Sequence, residues 1–221
     1  MKILNVLIAC EESQAECIAF RNLGHRAFSC DIQKARYHDE WHIMGDVTPY
    51  LMGKSEFCTA DGKWHRLPGW DLIIAHPPCT YLCKVGSQWL YHKPNTQIEL
   101  SGRYVMMNSD RLEKMKKARE FFMLCLNANA RYVAVENPLP MALAGLPKPT
   151  TYIEPSWFGV KYTKKTLYWL KGLPPIMPTI EFPNPKQYVR SSRGKYRSRT
   201  FPQVAQALAA QWSRHILDEM Q

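Results

Sequence analysis

The chain has 221 residues, of which 29 are Lys or Arg and 19 are Asp or Glu, so its formal net charge is +10 at pH 7. This balance favours an anionic partner such as nucleic acid. Hydrophobic residues make up 46% of the chain and charged residues 22%, which excludes a mainly disordered protein. A chain of this length buries roughly 70% of its unfolded surface and needs no disulfide or structural metal to form a core. We expect one domain over residues 1–221.

The sequence contains no candidate membrane span. No apolar run approaches the roughly 18 to 20 residues that a span needs, and the apolar opening is interrupted by Asn5 and has no signal-peptide cleavage site. The seven cysteines are scattered and never form C-x-x-C, which argues against a disulfide framework or a zinc ribbon. Neither Cys58 with His65 nor Cys79 with Cys83 completes a four-ligand site, so we expect no metal. The sequence predicts a cytoplasmic protein with reduced thiols.

The predicted elements begin with a strand, a helix and a second strand. Ile3–Ala9 is a short apolar run, Ser13–Leu23 has apolar residues at helical spacing, and His25–Ile32 reads as the next strand. Such a βαβ unit is the building block of an open parallel sheet.

Further strands and helices continue this alternation. The pattern predicts the strands Trp70–Ala75, Arg131–Val135, Trp157–Val160 and Thr166–Leu170 and the helices Ser109–Asn127 and Gln203–Glu219. Alternation of this kind predicts an α/β fold with a doubly wound, mostly parallel sheet.

A basic segment at about 181–201 stands out in composition. It contains a single acid, Glu181, beside a set of cations that includes Lys186 and Arg199. We interpret it as a short insert that contacts phosphates, with a solvated basic loop as the alternative. The contacts expected here come from Arg190, Arg193, Lys195 and Arg197.

Polar residues and cysteines follow the predicted strands, at the sheet edge where α/β proteins bind ligands. An acid at the end of the second strand is where a cofactor ribose is held, so Asp31 is a candidate ligand, with a plain turn residue as the alternative. Asp46 is a second candidate, or only a loop carboxylate. The segments at this edge are Cys10-Glu11-Glu12-Ser13-Gln14, Asp31-Ile32, Gly45-Asp46, Pro77-Pro78-Cys79-Thr80 and Glu136-Asn137-Pro138.

Two of these residues indicate a reaction centre. Cys79 directly follows a rigid Pro-Pro, which presents its sulfur to the cleft rather than to the core. Glu136 places a carboxyl group at the tip of a buried strand on the same edge. A nucleophile and an acid are thereby brought to one site.

These motifs resemble those of the DNA (cytosine-5)-methyltransferases, in family order along nearly the whole chain. Pro78-Cys79 resembles the family's nucleophile motif and Glu136-Asn137 its glutamate-asparagine motif. Phe158-Gly159-Val160 followed by Tyr162–Tyr168 is similar to the family's arginine motif, with Lys164 and Thr166 in place of the arginines. Thr200–Leu208 resembles the last motif, and Asp31 and Asp46 fall where the family binds ribose and adenine.

The resemblance implies the S-adenosylmethionine-dependent methyltransferase (Rossmann-like) type of sheet and a reaction at carbon 5 of cytosine in DNA. S-adenosylmethionine would leave as S-adenosylhomocysteine. The implied catalytic residues are Cys79, Glu136 and Lys164. The implied cofactor contacts are Cys10, Glu11, Ser13, Asp31, Ile32, Asp46, Pro78 and Val204.

The sequence departs from the family in two ways. Its first loop contains no glycine, although glycine lets the backbone approach a cofactor. Only about thirty residues separate Leu170 from Thr200, where family members carry a target-recognition domain. We therefore expect a short form with little sequence specificity, or one served by a separate recognition subunit, of a size that suits a phage or mobile element.

The loop after Cys79 mixes glycine, basic and aromatic residues. It is interpreted as a flap over nucleic acid with contacts from Lys84, Ser87 and Gln88, or as a long connection. Thr166 is also expected to contact the substrate. Since a stacked base is out of reach, the DNA would be single-stranded or would present a flipped base.

Two other functions remain open from the sequence. Ala75-His76-Pro77-Pro78 also resembles the prolyl-prolyl loop of DNA amino-methyltransferases, although that loop has Asp, Asn or Ser at the position of His76 and an aromatic residue at that of Cys79. The third hypothesis is a catalytically inactive, methyltransferase-like DNA-binding protein that no longer holds the cofactor.

Overall fold

The computed structural model describes residues 2–90, 97–100, 103–106, 108–180, 182–188 and 199–220, with the side chains at 88, 97–100 and 103–106 left undescribed. Its strands are β1 (Asn5–Ala9), β2 (Arg26–Asp31), β3 (His42–Met44), β4 (Glu56–Cys58), β5 (Trp64–Arg66), β6 (Leu72–Ala75), β7 (Gln97–Leu100), β8 (Arg103–Met106), β9 (Tyr132–Asn137), β10 (Thr151–Ile153), β11 (Tyr162–Thr163), β12 (Thr166–Lys171) and β13 (Lys186–Gln187). Its α-helices are α1 (Ala15–Asn22), α2 (Thr48–Leu51), α3 (Ser109–Leu126) and α4 (Pro202–Glu219).

Seven strands form one central sheet in the order β10-β12-β9-β6-β1-β2-β3. The five strands from β9 to β3 are mutually parallel, whereas β12 runs antiparallel to β9 and β10 antiparallel to β12. In chain order the parallel strands read 3-2-1-4-5, which is the doubly wound, Rossmann-like arrangement. The predicted α/β fold class, with a doubly wound and mostly parallel sheet, is confirmed.

Helices cover both faces of the sheet, as the apolar strand sequences require. In β1 the side chain of Leu7 packs with the layer of α3, while Val6 and Ile8 pack with the layer of α1 and α4. This alternation follows from the two-residue period of a strand. The face of α4 toward the sheet includes Trp212, which is fully buried and donates its indole N–H to the carbonyl oxygen of Pro174 at 3.1 Å.

One predicted strand is wrong. Trp157–Val160 lies in a 3₁₀ turn, Pro155–Trp157, and the irregular chain after it, where Gly159 has a φ of 79°. Proline at the start of the turn and the positive φ after it both favour a turn over a strand. The edge strand is instead β10, a few residues earlier. The pattern also missed β3, β10 and the hairpin formed by β4 and β5.

Strand β9 extends two residues beyond the predicted end, so that Glu136 and Asn137 lie within the strand. Glu136 is paired with Tyr168 and Asn137 with Leu167 of the antiparallel neighbour β12. Both residues are therefore held by backbone pairing rather than by a loop. Among the described residues, no helix is both long and apolar enough to cross a membrane.

Candidate active site

The candidate site lies at the sheet edge between β1 and β6, where the order of the parallel strands reverses. The backbone N–H of His76, just after β6, donates to the carbonyl oxygen of Ala9 at 3.0 Å, so these two strand ends stay side by side. The amide N–H of Asn137 donates to the carbonyl oxygen of Pro77 at 3.2 Å, and Asn137 is fully buried. This bond fixes the end of β9 against the loop that carries Cys79.

The chain after Pro78 makes a single helical turn around Cys79. The N–H groups of Leu82 and Cys83 both donate to the carbonyl oxygen of Cys79, each at 3.0 Å, and Lys84 continues by donating to Leu139. The turn puts the Cys83 side chain beside that of Cys79.

Arg111, from α3, fastens the loop that follows Cys79. Its guanidinium donates to the carbonyl oxygens of Thr80 at 3.0 Å and Gly86 at 3.2 Å, and it lies over the ring of Tyr81. A side chain at Gly86 would meet the Thr80 oxygen at 2.8 Å, which explains the need for glycine there. The first part of the predicted flap is therefore anchored to the fold.

Cys79 and Cys83 share a hydrogen bond between their sulfur atoms. This bond lowers the pKa of Cys83 to about 6, with the backbone N–H groups of Gly86 and Val85 adding to the effect against the opposing effect of burial. The same bond, together with burial, raises the pKa of Cys79. The two opposite shifts favour a thiolate on Cys83 before one on Cys79, which keeps its proton to higher pH.

Alkylation by iodoacetamide over a range of pH should detect the linked titration of this pair. Peptide mass spectrometry measures how far each cysteine has reacted. Because only a thiolate reacts, Cys83 should become reactive with a midpoint near pH 6, while Cys79 should stay protected to much higher pH. In the control Cys83→Ala, Cys79 should react at lower pH than in the wild type. A Cys83 midpoint near about 8.5, as in a free cysteine, would contradict the shared proton.

His76 is bound between two carboxylates. Its Nε2 lies 2.9 Å from Glu16 Oε2 and its Nδ1 lies 3.3 Å from Glu136 Oε2. The Glu16 side chain is fully buried, and those of His76 and Glu136 are 11% and 17% exposed. Burial alone would lower the pKa of His76, but the charge of Glu16 and the hydrogen bonds to both carboxylates raise it well above its ordinary value.

The first loop makes its turns without glycine. Cys10 and Gln14 adopt φ values of 61° and 59°, which L-residues rarely do. The Gln14 side chain is fully buried and stabilises the loop, since its oxygen accepts from the N–H groups of Tyr37 and His38 and its nitrogen donates to Ser29 Oγ and the His38 carbonyl. The loop is thus held by internal bonds.

Glu11 caps α1 from inside this loop. Its carboxyl oxygens accept from the N–H groups of Glu16 at 2.8 Å and Cys17 at 3.3 Å, and Ser13 Oγ donates to it at 3.5 Å. Burial raises the pKa of Glu11 to about 8, and the charge of Glu16 adds to the shift. The carboxyl group of Glu11 and the hydroxyl of Ser13 thus have partners within the loop, and their contact with a cofactor stays a prediction.

Glu11→Gln should change how stability depends on pH. The folded protein keeps the Glu11 proton up to about pH 8, whereas the unfolded chain releases it near 4.5, so the wild type loses stability as the pH rises through this window. The variant has no such proton and should lose less. Urea unfolding from pH 4.5 to 9 measures the difference.

The control for this experiment is Glu113→Gln on the exposed face of α3. Lys116 lowers the pKa of Glu113, so the stability that this pair contributes is lost only as the pH falls below the same window. Equal pH slopes for the wild type and Glu11→Gln between 4.5 and 8 would contradict the buried, protonated Glu11.

Three of the predicted cofactor residues meet at the ends of β1, β2 and β3. Burial raises the pKa of Cys10 to about 12, and the nearby charges of Asp31 and Asp46 add to it. Each aspartate uses one oxygen to close a turn, Asp31 with the N–H of Gln33 and Asp46 with the N–H of Thr48. Beside them Ile32 is 80% exposed, which leaves an apolar surface at the sheet edge.

A small recess brings together other predicted residues at the end of β9. Glu136, Lys164 and Thr166 line it, with Val204 at its α4 side. Thr166 is buried and its hydroxyl donates to the carbonyl oxygen of Lys164 at 2.9 Å. Lys164 also lines a larger neighbouring cavity of about 450 Å³ between α1 and the segment before α4.

Of the remaining predicted contact residues, some lie at or near the surface and the others lie outside the described residues. Pro78 and Lys84 are exposed, while the Ser87 hydroxyl donates to the carbonyl oxygen of Lys84 at 2.7 Å. The side chain of Gln88 and the whole of Arg190, Arg193, Lys195 and Arg197 lie outside the described residues. Across the described part of the chain, no group of three or more His, Cys, Asp or Glu side chains is arranged to hold a metal ion.

Sequence reasoning missed His76, Glu16, Cys83 and Arg111 as parts of this site. Glu16 and Arg111 lie on helices and reach the site across 60 and 31 positions of sequence. One signal for this group was visible in the sequence, which was the position of His76 before two prolines at a strand end.

Comparison with known proteins finds structural matches among the solved structures. A prophage-encoded E. coli protein described as a DNA modification methyltransferase superimposes with a TM-score of 0.41 and 11% sequence identity. The alignment covers 76% of this chain and 46% of that one, so this chain spans less than half of its length. No protein-family model matches the sequence, and no curated protein does.

Proposed function

We propose that the protein methylates carbon 5 of cytosine in DNA with S-adenosylmethionine, through a covalent adduct on Cys79. The observation that carries the proposal is the placement of Cys79 and Glu136 at the ends of the neighbouring strands β6 and β9. The hydrogen bond from Asn137 to Pro77 holds these two strand ends together. A small recess next to this pair brings Lys164 and Thr166 beside Glu136.

Cys79 attacks carbon 6 of the cytosine ring, because carbon 5 is a poor nucleophile until a sulfur adds beside it. The Cys79 proton moves along the hydrogen bond to the Cys83 thiolate, so no other base is needed for this step. The sulfur–carbon bond forms as negative charge moves into the ring. After transfer, loss of the proton at carbon 5 returns the electrons and expels the sulfur.

Glu136 supports the attack from the other side of the ring. Its carboxyl group gives a proton or a hydrogen bond to ring nitrogen 3, where the negative charge develops. Lys164 and Thr166 stand beside Glu136 and bring a cation and a hydroxyl to the same recess. These groups bind the base as a point charge and a hydroxyl, without the bidentate fork that arginine would supply.

The residues present fit the adenosine half of the cofactor. Asp31 would accept from the ribose hydroxyls with its second oxygen, Ile32 offers an apolar surface for the adenine, and Asp46 and Pro78 lie at the same edge. When bound, S-adenosylmethionine supplies an electrophilic methyl group. The α1 N-terminus already binds the Glu11 carboxyl group, so the methionine half depends on other groups.

The DNA substrate is single-stranded or presents a flipped base, because neither Cys79 nor Glu136 reaches a stacked one. The net charge of +10 favours phosphate contact of low sequence specificity. The short connection between β12 and α4 is consistent with a separate recognition subunit.

Mass spectrometry of nucleosides tests the proposal for every base at once. DNA is digested from cells that express the wild type and from cells that express Cys79→Ser, and the modified nucleosides are compared. We expect 5-methylcytosine from the wild type only.

Two other results have definite meanings. A methylated exocyclic amine that persists in Cys79→Ser would identify an amino-methyltransferase. The burial of His76 and its contacts with two carboxylates argue against that function. No modified base, together with no thermal shift on adding S-adenosylmethionine to the purified protein, would identify an inactive DNA-binding scaffold.

A further inference from the structure

We infer that His76 passes a proton to Glu136 as Cys79 attacks the base, with Glu16 holding the imidazole in place. The inference deepens the proposed function and rests on it. His76 touches Glu136 and not the substrate, so it acts as a positioning and proton-supplying residue. Neither the proton supply nor the part of Glu16 follows from the motifs in the sequence.

The geometry fixes how many protons the three groups share. An ionised carboxylate only accepts hydrogen bonds, and each ring nitrogen of His76 faces a carboxylate oxygen at hydrogen-bond distance. Two hydrogen bonds require two protons among Glu16, His76 and Glu136. The group of three then has a total charge of −1.

Two of the arrangements that satisfy this count differ by one short proton movement on the Glu136 side. In the first, His76 is an imidazolium between two carboxylates. In the second, the Nδ1 proton has moved to Glu136 Oε2, leaving a carboxylic acid, a neutral imidazole and the Glu16 carboxylate. Glu136 can therefore become an acid without taking a proton from solvent.

This movement balances the proposed attack. As the Cys79 sulfur bonds to carbon 6, the Nδ1 proton of His76 passes to Glu136 and from Glu136 to ring nitrogen 3, which leaves Glu136 as a carboxylate beside a neutral imidazole. His76 keeps its Nε2 proton, which still bonds to Glu16. When the sulfur is expelled, nitrogen 3 returns the proton to Glu136 and the imidazolium forms again.

The surroundings favour a protonated bridge. Glu16 also accepts from the Thr200 hydroxyl at 3.2 Å, which fixes the far end of the bridge from the segment before α4. The titratable groups that face the bridge are Glu11 from the first loop, Tyr168 from β12, Cys79, and the cations Lys164 and Arg199, which line the recess of Glu136. Burial and the charges of Glu16 and Glu136 raise the pKa of Tyr168 well above its ordinary value, so Tyr168 stays neutral beside them.

Histidine NMR tests the bridge without any activity assay. The protein is labelled at the imidazole carbons, and the His76 signal is assigned by its loss in His76→Gln. We expect His76 in the wild type to titrate well above the ordinary value of about 6.5, and in Glu16→Gln to titrate at lower pH than in the wild type. Titration at or below the ordinary value in the folded wild type would overturn the inference.

The pH profile of methyl transfer tests the role in catalysis. The bridge holds both protons only below its raised pKa, so kcat should fall as the pH rises through that value. In Glu16→Gln this alkaline limb should move to lower pH. His76→Gln should lose about 10²-fold in kcat, the scale of one general acid, and should lose the limb as well.

The outcomes separate this inference from the proposed function. A wild type that makes 5-methylcytosine, with an alkaline limb that both variants leave in place, keeps the proposed function and overturns the relay. A wild type that binds cofactor and DNA but makes no 5-methylcytosine overturns the proposed function, and the relay with it. A uniform loss of kcat in Glu16→Gln with an unmoved limb would assign Glu16 a structural role only, against the inference.

Discussion

Purified Cys79→Ser should transfer methyl groups at least about 10³-fold more slowly than the wild type while binding S-adenosylmethionine equally well. The loss is expected because a serine hydroxyl is a far weaker nucleophile than a thiolate at neutral pH, and removal of a covalent nucleophile has effects of this size. Cofactor binding should persist because Cys79 lies on the β6 loop and not among the residues at the ends of β2 and β3. Transfer of labelled methyl to a cytosine-containing oligonucleotide and calorimetric titration of the cofactor measure the two quantities.

The opposite pattern is expected from Asp31→Ala, which serves as the matched variant. It removes the acceptor for the cofactor ribose and should weaken cofactor binding first, while excess cofactor restores the rate. Near wild-type transfer by Cys79→Ser would sink the carbon-5 mechanism. Unchanged cofactor binding by Asp31→Ala would show that the carboxylate at the end of β2 only closes its turn with Gln33.

Glu136→Gln should lower kcat by about 10² to 10⁴-fold, the range that a general acid contributes. Glutamine keeps the size of the side chain and its place in β9 but has no proton to give to ring nitrogen 3. KM for DNA should change little, because the loss falls on the transition state. Single-turnover transfer with saturating DNA and cofactor measures the effect.

The control for this variant is Glu120→Gln, which removes a carboxylate from the exposed face of α3 and should leave kcat unchanged. A trapping experiment adds a second readout, since DNA that contains 5-fluorocytosine should form a lasting adduct with Cys79 in the wild type. Retention of more than a tenth of wild-type kcat by Glu136→Gln would remove Glu136 from the role of proton donor.

The main elements of the fold could be predicted because each has a strong local pattern. The apolar runs of β1, β2 and β6 and the amphipathic α3 and α4 need no distant contact to be recognised. Strand β3 and strand β10 have three residues each, too short for a period to show. The prediction of a strand at Trp157–Val160 failed for a related reason. An apolar run that contains Gly159 looks like a strand until its backbone angles are known.

The candidate site was predictable only at the residues that follow strands. Cys79, Glu136, Asp31 and Asp46 could be found by asking what stands at each strand end. The partners that set their chemistry come from helices, as Glu16 and Arg111 do, or from the next turn, as Cys83 does. Their spacing in sequence carries no sign of contact, because it results from how the layers pack.

The first loop shows a limit of reading residue types alone. Tight turns that approach a cofactor are usually made with glycine, and Cys10–Gln14 contains none. The structure makes them with Cys10 and Gln14 at positive φ, and the four hydrogen bonds of the Gln14 side chain offset the strain. The sequence shows only a glutamine at this position. The hydrogen-bond partners of its side chain lie some 15 to 24 positions away, so the support that they give to the loop is not visible in the sequence.

Contacts between residues far apart in the sequence also set when the candidate site can first be complete. Arg199 bonds to Glu12 and Thr200 to Glu16, across 187 and 184 positions. A ribosome that has just completed α1 works for roughly ten to forty seconds more, at about 5 to 20 residues per second, before it reaches these partners. For most of that time the growing chain contains Cys79 but lacks the hydroxyl that fixes Glu16, and with it the placement of His76 and Glu136. Synthesis itself thus delays the full arrangement of these side chains until Thr200 has been made.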